Sequence, residues 1–228
     1  MLTYNAPAPA AGELPTVDPM STAMSPLGSN PPVPSSNTIA TASGQQAPHV
    51  HHIWLVTGPA GCGKTTVAEH LSQSLNLPYL EGDSFHPQAN IDKMANGIPL
   101  TDADRWDWLT LLREESLRQL ASGAEGVVLT CSALKRKYRD VIRVAPYFTH
   151  DVQLHFIYLH APESVLLERV SHREGHYMGA NMVRSQFEIL EPPTAEETDV
   201  ISVDVSGPVP EVLIIALREA TNTINQAV

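Results

Sequence analysis

The chain has 228 residues, 43% hydrophobic and 17% charged, enough to bury one full core and carry a tail besides. Its formal charge of -11 excludes a surface built for nucleic acid or an anionic membrane, because phosphate attracts net positive charge, so a small anionic ligand has to meet a locally basic pocket. The two cysteines, Cys62 and Cys131, lack disulfide or metal-ligand spacing, which fits a reducing, cytoplasmic setting, and no segment reads as a bilayer span or a secretory signal.

Residues 1–48 hold nine of the nineteen prolines, with Glu13 and Asp18 as their only charges and no Lys or Arg. Such a segment buries too little apolar surface to offset its ordering entropy, so a disordered tail is predicted, leaving 49–228 as one folded domain. From residue 51 the character changes. A strand at 53–56 leads into a glycine-rich turn and a helix over 65–75, where Val67, Ala68, Leu71 and Leu75 keep helical spacing. A short strand at 79–81, a helix over about 105–120 and an apolar strand at 127–131 come next. They are followed by a basic helix over 134–143, a strand at 154–159, a helix opened by Pro162 that runs through Arg169, a helix over 181–190, a strand at 200–205 and a closing helix over 209–220. Strands that are apolar throughout, alternating with helices, predict an α/β fold with a parallel sheet covered on both faces.

Gly58-Pro59-Ala60-Gly61-Cys62-Gly63-Lys64-Thr65 fits G-x-x-x-x-G-K-[ST] and lies between a strand and a helix, as that motif requires. Its glycines let backbone N–H groups converge on phosphate oxygens, Lys64 reaches the β and γ phosphates, and the Thr65 hydroxyl can ligate Mg²⁺, with Thr66 next in the same turn. A nucleoside triphosphate is the implied ligand. No N-K-x-D for guanine occurs, and the 127–131 strand ends in Ser132 where a hydrolytic enzyme carries an acid, which points to transfer onto a bound acceptor.

In a parallel α/β sheet ligands sit beyond the carboxyl ends of the strands. After the second strand, Asp83 can accept a hydroxyl proton, help organise Mg²⁺, or cap a helix that Pro87 starts, and His86 can bond a hydroxyl or pack locally. After the third, Lys135 and Arg139 share a helix face suited to an anion or to solvent, position favouring function for Lys135. Arg169 and Arg173 precede Gly175 in what reads as a mobile lid that brings positive charge to a transferring phosphoryl group, or as the end of a surface helix. Trp106 and Trp108 read as packing anchors, and His49, His51 and His52 as solvent-facing. Cys62 lies near a helix N-terminus, which can lower a thiol pKa and open a redox role.

These blocks, with Asn90 to Leu100, Asp102-Ala-Asp104-Arg105-Trp-Asp-Trp108, Arg173-Glu-Gly-His176-Tyr, Ser185-Gln186-Phe and Glu197-Thr-Asp199 in order, resemble the gluconokinases among the small P-loop kinases, over about 54–208. The resemblance implies a three-layer P-loop kinase fold with a mobile lid, ATP and Mg²⁺, and transfer of the γ-phosphoryl group to the 6-hydroxyl of D-gluconate for the pentose phosphate pathway. A homodimer is common in that family. It implies that Lys64, Asp83 and Arg173 are catalytic, that Gly58 to Thr66 and Arg169 hold the nucleotide, and that Asp83, His86, Arg105, Lys135 and Gln186 line the gluconate side. Cys62 stands where the family commonly has Ser, and the tail is longer than a compact member needs. A shikimate-like or nucleoside kinase, or a nucleotide-binding regulator without transfer activity, stays open as an alternative.

Overall fold

A computed structural model describes residues 50–147, 149–171 and 180–226. These all lie in one compact unit, Gln45–Val228. The expected tail, together with Arg173, His176 and most of the expected lid, lies outside the described residues. Five strands, β1 (His51–Thr57), β2 (Tyr79–Leu80), β3 (Gly126–Thr130), β4 (Val152–His160) and β5 (Val200–Asp204), form one sheet in the order β2-β3-β1-β4-β5, every neighbouring pair parallel. Among the described residues seven helices connect and follow them: α1 (Lys64–Leu75), α2 (Gln88–Ala95), α3 (Trp106–Ala121), α4 (Arg136–Arg143), α5 (Glu163–Ser171), α6 (Ala180–Ile189) and α7 (Val209–Gln226).

The alternation of side chains along each strand produces two cores. Ile53 and Leu55 of β1, with Val127, Leu129 and Phe156, pack against Leu109 and Leu112 of α3 and Tyr138 and Ile142 of α4. Trp54, Val56, Val128, Ile157 and Leu159 face the other way, onto Val67, Ala68 and Leu71 of α1 and Val212, Ala216 and Ala220 of α7. The three layers expected from uniformly apolar strands are therefore present. Each such side chain contributes about 2 kcal/mol on full burial, and β1 and β4, whose apolar side chains are buried on both faces, gain most from it.

Three expectations change. A helix does follow Pro87, as anticipated, but short 3₁₀ turns that periodicity did not indicate occupy Gly82–Phe85 and Ala145–Tyr147. His52 is buried, not solvent-facing: β1 begins earlier than the apolar run suggests, and His52 Nδ1 meets His155 Nε2 of β4 at 3.0 Å, with Trp54 stacked on His155 at 4.4 Å. Arg139 does not lie on a solvated face. It is 2% exposed and closes a fork on the equally buried Glu197, with Nε and Nη2 each 2.7 Å from a carboxylate oxygen. Arg143 adds bonds to Glu197 and Asp199, so α4 pins the segment that leads from α6 into β5.

Candidate active site

The β1–α1 loop enters through Gly58, where a Cβ would lie 2.4 Å from the Leu159 carbonyl oxygen, so only glycine lets the loop approach β4 this closely. It ends at Gly63, the N-cap of α1, which is left-handed at φ 89. No acidic residue sits in the first turn of α1, and the partial positive charge of that terminus therefore stays available to an anion. Lys64 folds back to donate to the carbonyls of Gly58 at 3.0 Å and Pro59 at 3.1 Å.

A cavity of about 410 Å³ opens in front of this loop. The loop and the start of α1 form one wall, Asp83, His86, Arg105 and Trp108 another, and Gln186 of α6 a third. Its charged lining among the described residues is Lys64, Glu81, Asp83 and Arg105. Gly82 brings the Asp83 segment against β3: a Cβ there would fall 1.9 Å from the Thr130 carbonyl oxygen, and the Gly82 carbonyl accepts a bond from Trp108 Nε1 at 2.8 Å. Asp83 caps nothing, because α2 takes Pro87 as its N-cap. Burial, reinforced by Glu81 and opposed by Lys64, holds the Asp83 carboxyl above its ordinary value. His86 stacks on Trp108 at 3.9 Å and receives a long bond from Asn90 Nδ2 at its Nδ1, which leaves Nε2 as the protonated nitrogen facing Asp83 Oδ1 at 3.9 Å. Burial, and secondarily the Arg105 charge, pushes the His86 pKa down to about 4, so the ring is neutral near pH 7.

Glu81 is the residue that sequence reasoning passed over. Its carboxylate accepts from Thr65 Oγ1 at 3.0 Å, Tyr79 Oη at 2.5 Å and Thr130 Oγ1 at 2.5 Å. An acid directly after a strand that ends at the site was a readable signal. Gln186 Oε1 accepts from the Ala60 N–H at 2.7 Å and so ties α6 to the phosphate loop. Lys135 does not line the cavity; its ammonium donates to Asp102 Oδ1 at 3.1 Å.

A second cavity, about 670 Å³, lies on the other side of the loop between α1, Val165 and Arg169 of α5, and the Val205–Val209 turn. Arg169 Nη2 donates to the Val205 carbonyl at 2.6 Å at its edge. Cys62 lines this cavity, but burial pushes its thiol up rather than down, against the expected activation by the helix terminus. Both cysteines are free and buried. Among the described residues no helix is long and apolar enough to cross a membrane.

A phosphate loop at the carboxyl edge of a parallel sheet, flanked by one cavity with acids and a cation and another on its far side, defines a P-loop kinase. Residues 53–192, more than half of the chain, match the AAA domain family. A probable gluconokinase of Schizosaccharomyces pombe is 49% identical over 157 residues, 68% of this chain and 81% of that protein. The thermoresistant gluconokinase of Escherichia coli is 39% identical over 70% of this chain and 88% of its own length. A gluconokinase structure from Sinorhizobium meliloti, 41% identical, superposes with a TM-score of 0.65 over 80% of this chain and all of that one. The chain belongs to the gluconokinase family.

Proposed function

We propose that the protein transfers the γ-phosphoryl group of ATP to the 6-hydroxyl of D-gluconate, giving 6-phospho-D-gluconate and ADP. The observation that carries this reading is one cavity in which the phosphate loop faces Asp83, His86 and Arg105. The backbone N–H groups of the loop and Lys64 hold the β and γ phosphates, Lys64 exchanging its two loop carbonyls for phosphate oxygen. The nucleoside end occupies the second cavity beside Arg169. Asp83, already raised towards proton acceptance, takes the hydroxyl proton as the acceptor oxygen attacks phosphorus, and neutral His86 donates to a hydroxyl of the polyol from Nε2. Gln186, held by the Ala60 N–H, lines the same cavity on the gluconate side.

Thr65, Glu81 and Asp83 give the first cavity a set of hard oxygen donors, which suits Mg²⁺. Because the Thr65 hydroxyl gives its proton to Glu81, its lone pairs are free to face a metal ion. Bound there, Mg²⁺ would neutralise phosphate charge.

ADP release coupled to a spectrophotometric readout, run with gluconate, shikimate and nucleosides, tests the reading. Gluconate-dependent turnover that Lys64→Ala abolishes is the expected result. Turnover on shikimate or a nucleoside alone, or ADP release indifferent to any acceptor, refutes it.

A further inference from the structure

The charge inventory around Arg105 contains an unfilled position. This residue is 9% exposed, yet no carboxylate among the described residues pairs with it. All three of its hydrogen bonds leave from Nη1, to the carbonyls of Leu100 and Thr101 and to Tyr138 Oη at 3.4 Å. Its Nε and Nη2 donate to no described residue. That edge is the one other arginines of this chain use for carboxylates: Arg139 holds Glu197 with Nε and Nη2 at 2.7 Å each, Arg143 holds Asp199 at 2.8 and 2.9 Å, and Arg118 grips Glu115 in the same way. The parallel N–H pair matches a carboxylate in a way a lysine cannot.

Of the three acids within three positions of Arg105, Asp107 is exposed and makes no ion pair with it, and the other two are already committed. Asp102 takes Lys135, Lys137 and the Tyr138 hydroxyl, and Asp104 takes Lys93 and both the amide and hydroxyl of Thr101. A buried guanidinium left without an anion is costly, and it lines the cavity. The order of groups along that cavity sets a direction. Asp83 shares the cavity with Lys64 and stands 3.9 Å from His86, His86 stacks on Trp108 in the first turn of α3, and Arg105 is the N-cap of that helix. The phosphoryl-accepting end of the substrate therefore lies by Asp83 and the opposite end by Arg105.

We propose that Arg105 receives the carboxylate of the sugar-acid substrate through Nε and Nη2, and that Tyr138 is a positioning residue that aims it. The Tyr138 hydroxyl donates to Asp102, so its lone pairs face Nη1, while its ring lies 5.3 Å from the guanidinium carbon. Lys135, bound to Asp102, serves this scaffold and not the substrate. The assignment rests on gluconate being the acceptor, and it adds which cation reads the acid and which end of the chain enters first.

The test compares D-gluconate with D-glucitol, a neutral polyol of the same length that carries a hydroxymethyl group in place of the carboxylate. In the parent enzyme gluconate should bind about a hundredfold or more tighter, the usual worth of a buried bidentate charge pair. Arg105→Gln should raise the gluconate KM by a similar factor with the ATP KM little changed, and should erase the preference over glucitol in calorimetric binding. Lys135→Gln should have the smaller effect. If Arg105→Gln does not fold, Tyr138→Phe decides, since it keeps the ring: a rise in gluconate KM of roughly three- to tenfold at unchanged kcat is expected, the range for one ordinary hydrogen bond, this one being long at 3.4 Å. Gluconate turnover with equal affinity for glucitol, a larger KM effect from Lys135→Gln, or an unmoved KM in Tyr138→Phe overturns the assignment. A parent enzyme that does not use gluconate overturns instead the reading on which it rests.

Discussion

Asp83→Asn removes the proposed base, and nucleotide binding measured beside turnover separates that role from a share in holding Mg²⁺. Asparagine keeps the size of the side chain and removes its charge and its ability to take a proton. The structure sets the cost to the fold: the Asp83 side chain is 52% exposed, caps no helix, and stands too far from His86 Nε2, at 3.9 Å, for a hydrogen bond. Stability should thus change by less than about 0.5 kcal/mol, the ordinary range for an exposed substitution. Turnover should fall by about two to four orders of magnitude, the contribution of a positioned general base, equivalent to about 2.7–5.5 kcal/mol of transition-state stabilisation. The pH profile supplies a second measure. Although half of its side chain is accessible, Asp83 looks into the cavity, where desolvation by the surrounding walls, with Glu81, holds the carboxyl above the ordinary carboxylate range, and the reactive form is the deprotonated one. Parent activity should therefore rise with pH through that raised pKa, and the variant should lack this acid limb. The assay is kcat by ADP coupling across pH, alongside nucleotide binding and thermal unfolding. A folded variant that binds nucleotide and turns over within about threefold of the parent would remove Asp83 from the chemistry.

Glu197→Gln should destabilise the protein by about 3–5 kcal/mol in denaturant unfolding, because it strands buried Arg139 without its counter-ion; a loss under about 1 kcal/mol would show that the fork is not a structural pin. Burial pushes both His86 and His155 down to about 4 from the usual 6.5, so the native state binds fewer protons than the unfolded chain. Their stabilisation is complete above pH 6.5 and is lost as pH falls towards 4, so melting temperature should drop across that window and His155→Phe should flatten the drop; an unchanged slope refutes the assignment. Deleting residues 1–47, which carry no Lys or Arg and only two acids, should leave turnover and melting temperature near those of the full chain, and a large fall in melting temperature would contradict it.

Local signals made much of this molecule legible. The strand, the glycine loop and α1 each announce themselves within a few residues, and the rule that ligands gather past strand ends led to Asp83 and His86. What stayed hidden depends on partners distant in sequence. Lys135 and Arg139 are equivalent by spacing, and only the meeting of Arg139 with Glu197, fifty-eight positions on, makes one a buried pin while Asp102 claims the other. The burial of His52 needs His155, which a reading of the chain start cannot supply. Glu81 was visible as an acid past a strand, but the three hydroxyls that converge on it come from β2, α1 and β3.

The strand order also governs how the chain is made. Parallel neighbours cannot be joined by a hairpin, so every pairing in this sheet must close a long loop. Of the described strands β1, the central one, leaves the ribosome first, yet its partners are Gly126 to Thr130 and Val152 to Tyr158. While α1, β2, α2 and α3 are being synthesised, the apolar run from Ile53 to Val56 has no edge to join. Folding of this kind is slow, and the waiting strand is open to pairing with other nascent copies. Yield of folded enzyme at high expression should accordingly respond to translation rate and chaperone supply more than to the stability of the finished protein.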